Sequence, residues 1–139
     1  MTKRLVVYVP MSADILHPGH INILKKAHEL GYVVVGLGSD ERIRHNKGRL
    51  PAMSFEDRKV VVEALRYVDE VIEKKSLKYV DEIRVLQPDI VLHGDDWSEE
   101  ARAHVEAALG EYGGKLVEVD YNEYPLSSSQ IKQRIREGI

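Results

Sequence analysis

The sequence predicts an α/β protein with a doubly wound sheet of about five parallel strands and helices on both faces. Three observations lead to this prediction. Short apolar runs rich in β-branched residues recur along the chain, and stretches with apolar residues at helical spacing separate them. The chain has 139 residues, 43% of them hydrophobic and 31% charged, as in one ordinary globular domain. Because no repeat or linker divides it, we predict a single domain over residues 1–139.

The first part of the chain predicts a strand–helix–strand unit. Residues 5–9 form the first apolar run and residues 32–37 the second. Between them a helical pattern begins at His20 and continues to Leu30, where Gly31 supplies a stop. Such a unit places its two strands parallel, with a right-handed crossover between them.

Residues 39–53 show no period and contain Gly48 and Pro51, so we predict a loop that is mobile when no ligand is bound. Ser54 is then a suitable N-cap for a helix, because acidic residues follow it in the first turn. We predict that this helix buries Phe55, Val60, Val61, Ala64 and Leu65.

The rest of the chain repeats the alternation. We predict strands at residues 68–72, 89–92 and 116–119, with helices beginning at Ser76 and Ser98 and a last helix after a run of three serines. The whole pattern is Rossmann-like. In such sheets, ligands bind beyond the carboxyl ends of the strands, where the winding changes direction. Polar stretches that follow the strands should therefore converge on one edge of the sheet.

Composition excludes several classes of function. The chain has no cysteine, which excludes disulfides, thiolate nucleophiles and cysteine-ligated zinc. A net charge of −3 argues against general nucleic-acid binding. No apolar run reaches the roughly 20 residues of a membrane span, and the N-terminus lacks the layout of a signal peptide. We therefore expect a cytoplasmic protein with neither nucleic acid nor membrane as a partner.

The junction between the first strand and the first helix carries the most informative motif, Asp14-Ile15-Leu16-His17-Pro18-Gly19-His20. A helix start presents unpaired N–H groups and a partial positive charge, which favours phosphate. Imidazoles three residues apart face the same side of the first turn and can add donors. The alternatives are histidines with no ligand and a zinc site, but no H-E-x-x-H pattern supports zinc. We predict phosphate contact, with Asp14 capping or orienting the turn.

A basic segment follows the second strand. Arg42, Arg44, Lys47 and Arg49 carry four positive charges, with no acid between residues 42 and 49. A solvated surface run is the ordinary interpretation. With a phosphate site nearby, Lys47 or Arg49 could instead fold over a triphosphate and neutralise charge in the transition state. Arg58, in the next helix, could contribute from a rigid base.

Two later stretches complete the candidate site. In Gly94-Asp95-Asp96-Trp97, adjacent carboxylates repel unless they meet donors or a cation, so ribose hydroxyls, a base amino group or magnesium would suit them. A simple turn is the alternative. Residues 127–129 are serines that could cap the last helix and form a second phosphate site. No G-x-S-x-G surrounds them, so a serine nucleophile is not expected.

The pair Gly36 and Gly38 is not a dinucleotide fingerprint. It follows a strand, but position 41 is Glu rather than glycine, and the next helix does not follow directly. The pattern G-x-G-x-x-G is therefore not present there.

Taken together, the Asp14–His20 motif, the Arg58 helix, the Gly94–Trp97 motif and the serine run resemble the small cytidylyltransferases of the H-x-G-H nucleotidyltransferase superfamily, such as glycerol-3-phosphate cytidylyltransferase. Met11-Ser12-Ala13-Asp14 and His93-Gly94-Asp95-Asp96-Trp97 look more like the phosphonate-pathway enzymes, which act on phosphonoformate or hydroxyethylphosphonate. The resemblance covers essentially the whole chain.

The resemblance implies transfer of CMP from CTP to a small phosphonate, with release of pyrophosphate. It implies Mg²⁺ on the triphosphate, no separate metal site and a homodimer. The implied catalytic residues are His17, His20, Lys47, Arg58, Ser128 and Ser129. The implied nucleotide-binding residues are Met11, Ser12, Asp14, Gly19, His93, Gly94, Asp95, Asp96, Trp97 and Ser127. The implied acceptor-binding residues are Arg49, Asn122 and Tyr124.

One departure bears on the acceptor. The glycerol-3-phosphate enzymes carry R-T-x-G-I-S-T-T late in the chain, whereas here Asn122 replaces the arginine and Pro125 the glycine. Loss of that cation favours another, smaller anion. The alternatives are a phospho-alcohol cytidylyltransferase, an adenylyltransferase of the same superfamily, since these share H-x-G-H, and a nucleotide-binding module without activity.

Overall fold

The computed structural model describes residues 4–77, 80–95, 97–120 and 127–138. The described part contains one sheet of five parallel strands in the order β3-β2-β1-β4-β5, with helices around it, so the predicted fold class is confirmed. The strands are β1 (Val6–Met11), β2 (Tyr32–Gly38), β3 (Glu70–Lys74), β4 (Ile90–Gly94) and β5 (Lys115–Val119). The helices are α1 (Pro18–Leu30), α2 (Asp40–Lys47), α3 (Phe55–Glu63), α4 (Asp81–Leu86), α5 (Glu99–Gly110) and α6 (Ser128–Arg136).

The winding of the sheet changes direction between β1 and β4. From β1 the chain passes to β2 and then β3 at one edge, and it returns to place β4 on the other side of β1. Tyr8 of β1 is therefore opposite Val34 on one side and Val91 on the other. The carboxyl ends of β1 and β4 form the switch point at which a sheet of this kind binds ligands.

The core lies on both faces of the sheet because side chains alternate along each strand. Val7 and Val9 face one layer, where Leu24 and Ala27 of α1 cover them. Tyr8 faces the opposite layer. The buried residues in that layer include Val34, Ile83, Val91, Val105 and Leu109.

Gly36 has a packing role in β2. A Cβ at this position would lie 2.0 Å from the hydroxyl of Tyr8, which no side chain could tolerate. The glycine therefore makes room for the tyrosine ring under the sheet, which agrees with the exclusion of a dinucleotide fingerprint.

The prediction of a loop at residues 39–53 is wrong over the first part of that range. Ser39 caps α2, because its hydroxyl accepts a hydrogen bond from the Arg42 N–H at 3.1 Å, and Gly48 ends the helix with φ of 73°. Ile43 anchors the helix and is 1% exposed. With one buried apolar residue in eight, α2 lacks the periodic pattern that indicates a helix.

The predicted buried face of α3 is wrong in part, although Phe55 and Leu65 pack against the core as predicted. Val60 and Val61 are exposed, whereas Arg58 and Val62 are buried. Because Arg58 faces the core, the buried side of α3 differs from the apolar side that the spacing of hydrophobic residues indicated.

Several boundaries differ from the prediction. α1 begins at Pro18 rather than His20, and α4 begins at Asp81 rather than Ser76. β4 includes His93 and Gly94, which the prediction placed after the strand. No helix in the described ranges is long and apolar enough to cross a membrane.

Candidate active site

A cavity of about 750 Å³ opens at the carboxyl ends of the strands. It brings together residues from β1, the start of α1, α2, β4 and the start of α6. The predicted site residues that line it are Met11, Ser12, Asp14, His20, Lys47, His93, Gly94, Ser127, Ser128 and Ser129. The other predicted residues lie behind this lining, on the surface, or outside the described residues.

His17 and His20 both hold hydrogen bonds to the peptide backbone. His17 is the N-cap of α1, and its Nδ1 accepts from the Gly19 N–H at 3.0 Å. The Nδ1 of His20 accepts in turn from the His17 N–H at 3.3 Å. The ring centroids are 4.1 Å apart. Gly19 thus supports the cap of the helix and does not line the cavity.

These hydrogen bonds define the protonation of both rings. A peptide N–H can only donate, so each Nδ1 acts as an acceptor and each neutral ring carries its proton on Nε2. Burial, aided by the charges of His17 and Lys47, lowers the pKa of His20 to about 4. Burial also lowers the pKa of His17. At neutral pH the motif therefore offers two uncharged Nε2–H donors.

His17 Nε2 is buried and has no hydrogen-bond partner among the described residues. A buried donor without a partner costs free energy, which an oxygen atom of a bound ligand would offset. Because this donor belongs to the first turn of α1, a phosphate at the helix start is the group that suits it.

Asp14 holds the wall of the cavity together rather than facing a ligand freely. It is 2% exposed, accepts a hydrogen bond from the Ala52 N–H at 2.7 Å and pairs with Lys132 of α6. Burial alone would raise its pKa, but the hydrogen bonds from Lys132 and Ala52 and the charge of Lys47 outweigh it and lower the pKa.

The three serines at the start of α6 differ in their contacts. Ser127 caps the helix, with its hydroxyl accepting from the Gln130 N–H. The Ser128 hydroxyl donates to the Ile15 carbonyl at 2.7 Å, and Ser129 is exposed at the cavity. α6 is therefore fastened across the β1–α1 loop, and its N-terminus lies at the same cavity as that of α1.

Arg58 does not line the cavity, and its predicted contact with phosphate stays a prediction. This residue is 0% exposed, and its guanidinium donates to the Ser12 and Gly38 carbonyls, each at 2.8 Å. It also donates to the Met53 carbonyl and pairs with Asp40 at 2.7 Å. Arg58 thus joins the loops after β1 and β2 and acts as a positioning residue.

The basic residues at positions 42–49 point in different directions, because most of them lie on the helix α2. Lys47, in the last turn of α2, lines the cavity, and burial and the charge of Lys132 lower its pKa. Arg49 is exposed beyond the end of α2 and does not line the cavity. Arg42 points inward and donates to the Ser76 carbonyl at 2.8 Å.

At β4, His93 rather than Trp97 lines the cavity. The two rings stack with centroids 3.8 Å apart, and the Trp97 indole donates to Glu118 at 3.0 Å. Trp97 packs against the His93 ring and does not line the cavity, and its predicted contact with the nucleoside stays a prediction. Asp95 is exposed. Asp96, Asn122 and Tyr124 lie outside the described residues.

Residues 8–134, most of the chain, match the family described as cytidylyltransferase-like. The chain belongs to this family. It is 36% identical over 141 residues to an FAD synthase from Pyrococcus abyssi, a match that covers 97% of this chain and 95% of that protein. It is also 38% identical over 96 residues to the bifunctional protein HldE of Wolinella succinogenes, covering 68% of this chain and 20% of that protein.

Solved structures show the same family fold. A lipopolysaccharide core biosynthesis protein from Thermoplasma volcanium GSS1 has a TM-score of 0.74 at 27% identity, covering 85% of this chain and 98% of that one. A protein with unknown function from Archaeoglobus fulgidus has a TM-score of 0.68 at 18% identity and so shows the fold alone. This cytidylyltransferase-like protein is therefore a nucleotidyltransferase, and the comparisons leave its nucleotide open.

Two charged cavity residues of this cytidylyltransferase-like protein were not among the site residues predicted from the sequence. Arg42 and Lys74 line the cavity and are 6% and 2% exposed. Ser39 followed by two acidic residues was a signal for a helix, which would have turned Arg42 inward. Lys74 is the last residue of β3, at the end where ligands bind, but the strand was predicted to end two residues earlier.

The described residues contain no cluster of three or more histidines or carboxylates that could hold a metal ion. Mg²⁺ bound by the protein alone therefore has no candidate site in this part of the chain. Mg²⁺ usually binds through one or two carboxylates together with substrate phosphates, so the cavity is compatible with Mg²⁺ that enters with a nucleotide.

Proposed function

We propose that this protein transfers AMP from ATP to a phosphate oxygen of an acceptor and releases pyrophosphate. One observation carries the proposal: His17 and His20 present two neutral Nε2–H donors at the start of α1, and His20 lines the cavity where α6 also begins. This is an arrangement suited to a polyphosphate.

The choice of ATP rests on the relatives. FAD contains an adenylyl group, and an FAD synthase matches this chain over nearly the full length of both. The adenylyl alternative is therefore better supported than the expected transfer of CMP to a phosphonate. Neither CTP nor a phosphonate has support in the comparisons.

The proposed chemistry needs no general base, because an acceptor phosphate oxygen is already ionised at neutral pH. Catalysis is then positioning plus stabilisation of the charge that develops on the triphosphate. The Nε2–H groups of His17 and His20 donate to phosphate oxygens, and Lys47 adds a cation from the end of α2. Ser127 and Ser129, with the first N–H groups of α6, contact the phosphates from the opposite wall.

Three further roles follow from this scheme. Met11, Ser12, His93 and Gly94 line the part of the cavity nearest the switch point and hold the nucleoside. Mg²⁺ enters with the nucleotide and neutralises part of the triphosphate charge. Asp14 and Arg58 keep the surrounding loops in place.

We also propose that two copies of the chain form a homodimer.

The decisive test is a pyrophosphate-release assay with Mg²⁺ and either ATP or CTP. The acceptor panel should contain flavin mononucleotide, sugar phosphates, glycerol 3-phosphate and phosphonates. We expect release with ATP and at least one phosphate monoester. Release only with CTP would overturn the adenylyl assignment, and nucleotide binding without release for any acceptor would favour a binding module.

A further inference from the structure

A second group of charged residues faces the same cavity, away from the histidine motif. Lys74 ends β3, and its carbonyl accepts a hydrogen bond from the Ser39 N–H at 3.0 Å. Arg42 lies in the first turn of α2 and donates to the Ser76 carbonyl just beyond β3. Both side chains line the cavity, and both are at least nine-tenths buried.

An acidic residue, Glu82 of α4, lies near both cations. Burial raises the pKa of Glu82, and the charges of Lys74 and Arg42 oppose that rise. Burial, with the charge of Arg42, lowers the pKa of Lys74 to about 7. Two neighbouring buried basic groups each make the charged state of the other less favourable, and groups with pKa values shifted in this way cluster at functional sites.

The position of the pair separates it from the phosphate site proposed at α1. Lys74 is opposite Gly38 in β2, and β2 lies between β3 and β1. Neighbouring strands are about 4.8 Å apart, so the end of β3 is about 10 Å from the end of β1. His93 and Gly94 lie on the other side of β1. A nucleoside beside β4 and a triphosphate at α1 would leave the β3 side for the acceptor.

We propose that Arg42 and Lys74 form a second anion subsite, which binds an acidic group of the acceptor. The subsite takes a phosphate or carboxylate, because a guanidinium and an ammonium together provide several charge-assisted donors. It rests on the proposed function for the identity of its occupant, but the anion site itself can be tested without any acceptor.

Sulfate is a suitable probe because it remains a dianion across the neutral pH range. Calorimetric titration of sulfate is carried out on the full chain saturated with Mg²⁺ and α,β-methylene ATP, so that the analogue occupies the phosphate site. We expect the native chain to bind sulfate and Lys74→Met to bind it about 10-fold more weakly or worse, since hydrogen bonds to charged groups are the strong ones.

Lys75→Met is the matched control. Lys75 is the next residue, its side chain is exposed, and it pairs with Glu73 at 3.5 Å. We expect its sulfate affinity to equal that of the native chain. Lys74→Gln provides a second neutral variant, and circular dichroism verifies that each variant is folded before titration.

Sulfate binding by a folded Lys74 variant within about twofold of the native affinity would overturn the proposal, since tenfold corresponds to one lost charged contact. So would the absence of sulfate binding by the native chain with the analogue bound. Failure of the native chain to bind the analogue would instead count against the proposed function. In that case sulfate titration of the Lys74 and Lys75 variants without nucleotide decides the subsite.

Discussion

At the scale of single residues, the two histidines show how the backbone prepares a side chain for chemistry. His17 and His20 each accept a peptide N–H at Nδ1, so the same hydrogen bonds that begin α1 also orient the Nε2–H groups. The sequence analysis selected both residues because H-x-G-H, a moderately specific motif, stands at a predicted strand–helix junction. It did not predict their tautomer, because that depends on the ring orientation.

Substitutions at His17 should separate its contribution to stability, as the N-cap of α1, from its contribution to kcat. His17→Asn keeps an N-cap acceptor and loses the Nε2 donor, so stability should hold while kcat falls by roughly 10²-fold. His17→Ala should lose the same rate and also about 1 kcal/mol of stability. Pyrophosphate release and urea unfolding measure the two effects. A native kcat in the Asn variant would remove His17 from the catalytic residues.

The lowered pKa of His20 predicts that the protein loses stability in mild acid. This pKa is about 4 in the folded chain, against the ordinary histidine value of 6.5. Between these values the unfolded chain binds a proton that the folded chain excludes, so the free energy of unfolding falls as pH falls from about 6.5 to 4. The slope from this group is at most about 1.4 kcal/mol per pH unit.

Urea unfolding at pH 7 and pH 5 tests this expectation. His20→Gln should be less sensitive to pH than the native chain. His104→Gln, at an exposed position of α5, is the control and should keep the native sensitivity. Equal sensitivity in all three chains would contradict the role of His20.

At the scale of elements, α2 and α3 differ most from what the sequence predicted. Both helices present an arginine to the interior, so their apolar residues do not repeat at helical spacing. Arg58 meets three backbone carbonyls and one carboxylate, which no pattern of hydrophobicity can reveal. The strands were predicted well because buried parallel strands are continuous apolar runs.

Arg58→Met should destabilise the protein by roughly 3–5 kcal/mol, because it removes a fully buried guanidinium that donates to three carbonyls and pairs with the partly exposed Asp40. Its carbonyl partners in the loops after β1 and β2 would lose their donor. Chemical denaturation measures the effect, with Arg66→Met at an exposed position as the control. A loss below about 1 kcal/mol, as for surface pairs, would show that these loops do not depend on Arg58.

At the scale of the whole molecule, the topology determines which residues meet. Parallel strands bring their carboxyl ends to one edge, so residues far apart in sequence line one cavity. This convergence was predicted from the order of elements alone. The extension of the cavity toward β3 was not predicted, because it depends on which side chains of α2 point inward.

Nucleotide binding should stabilise the whole fold. A ligand at 100 times its Kd adds about 2.7 kcal/mol to the free energy of unfolding. With Mg²⁺ present, we expect ATP to raise the melting temperature more than CTP at equal concentration. Inorganic sulfate without nucleotide is the control for a general ionic effect. A larger shift with CTP would favour a cytidylyltransferase.

The contacts that hold α6 against the β1–α1 loop affect when, during folding, the protein becomes able to bind nucleotide. Ser128 contacts Ile15, and Lys132 pairs with Asp14, across 113 and 118 residues of sequence. Closing such a long loop is entropically slow, and contacts of this range form late in folding. During synthesis the sheet can therefore assemble before the proposed phosphate site is complete. The ability to bind nucleotide should arise only after α6 has emerged from the ribosome and docked.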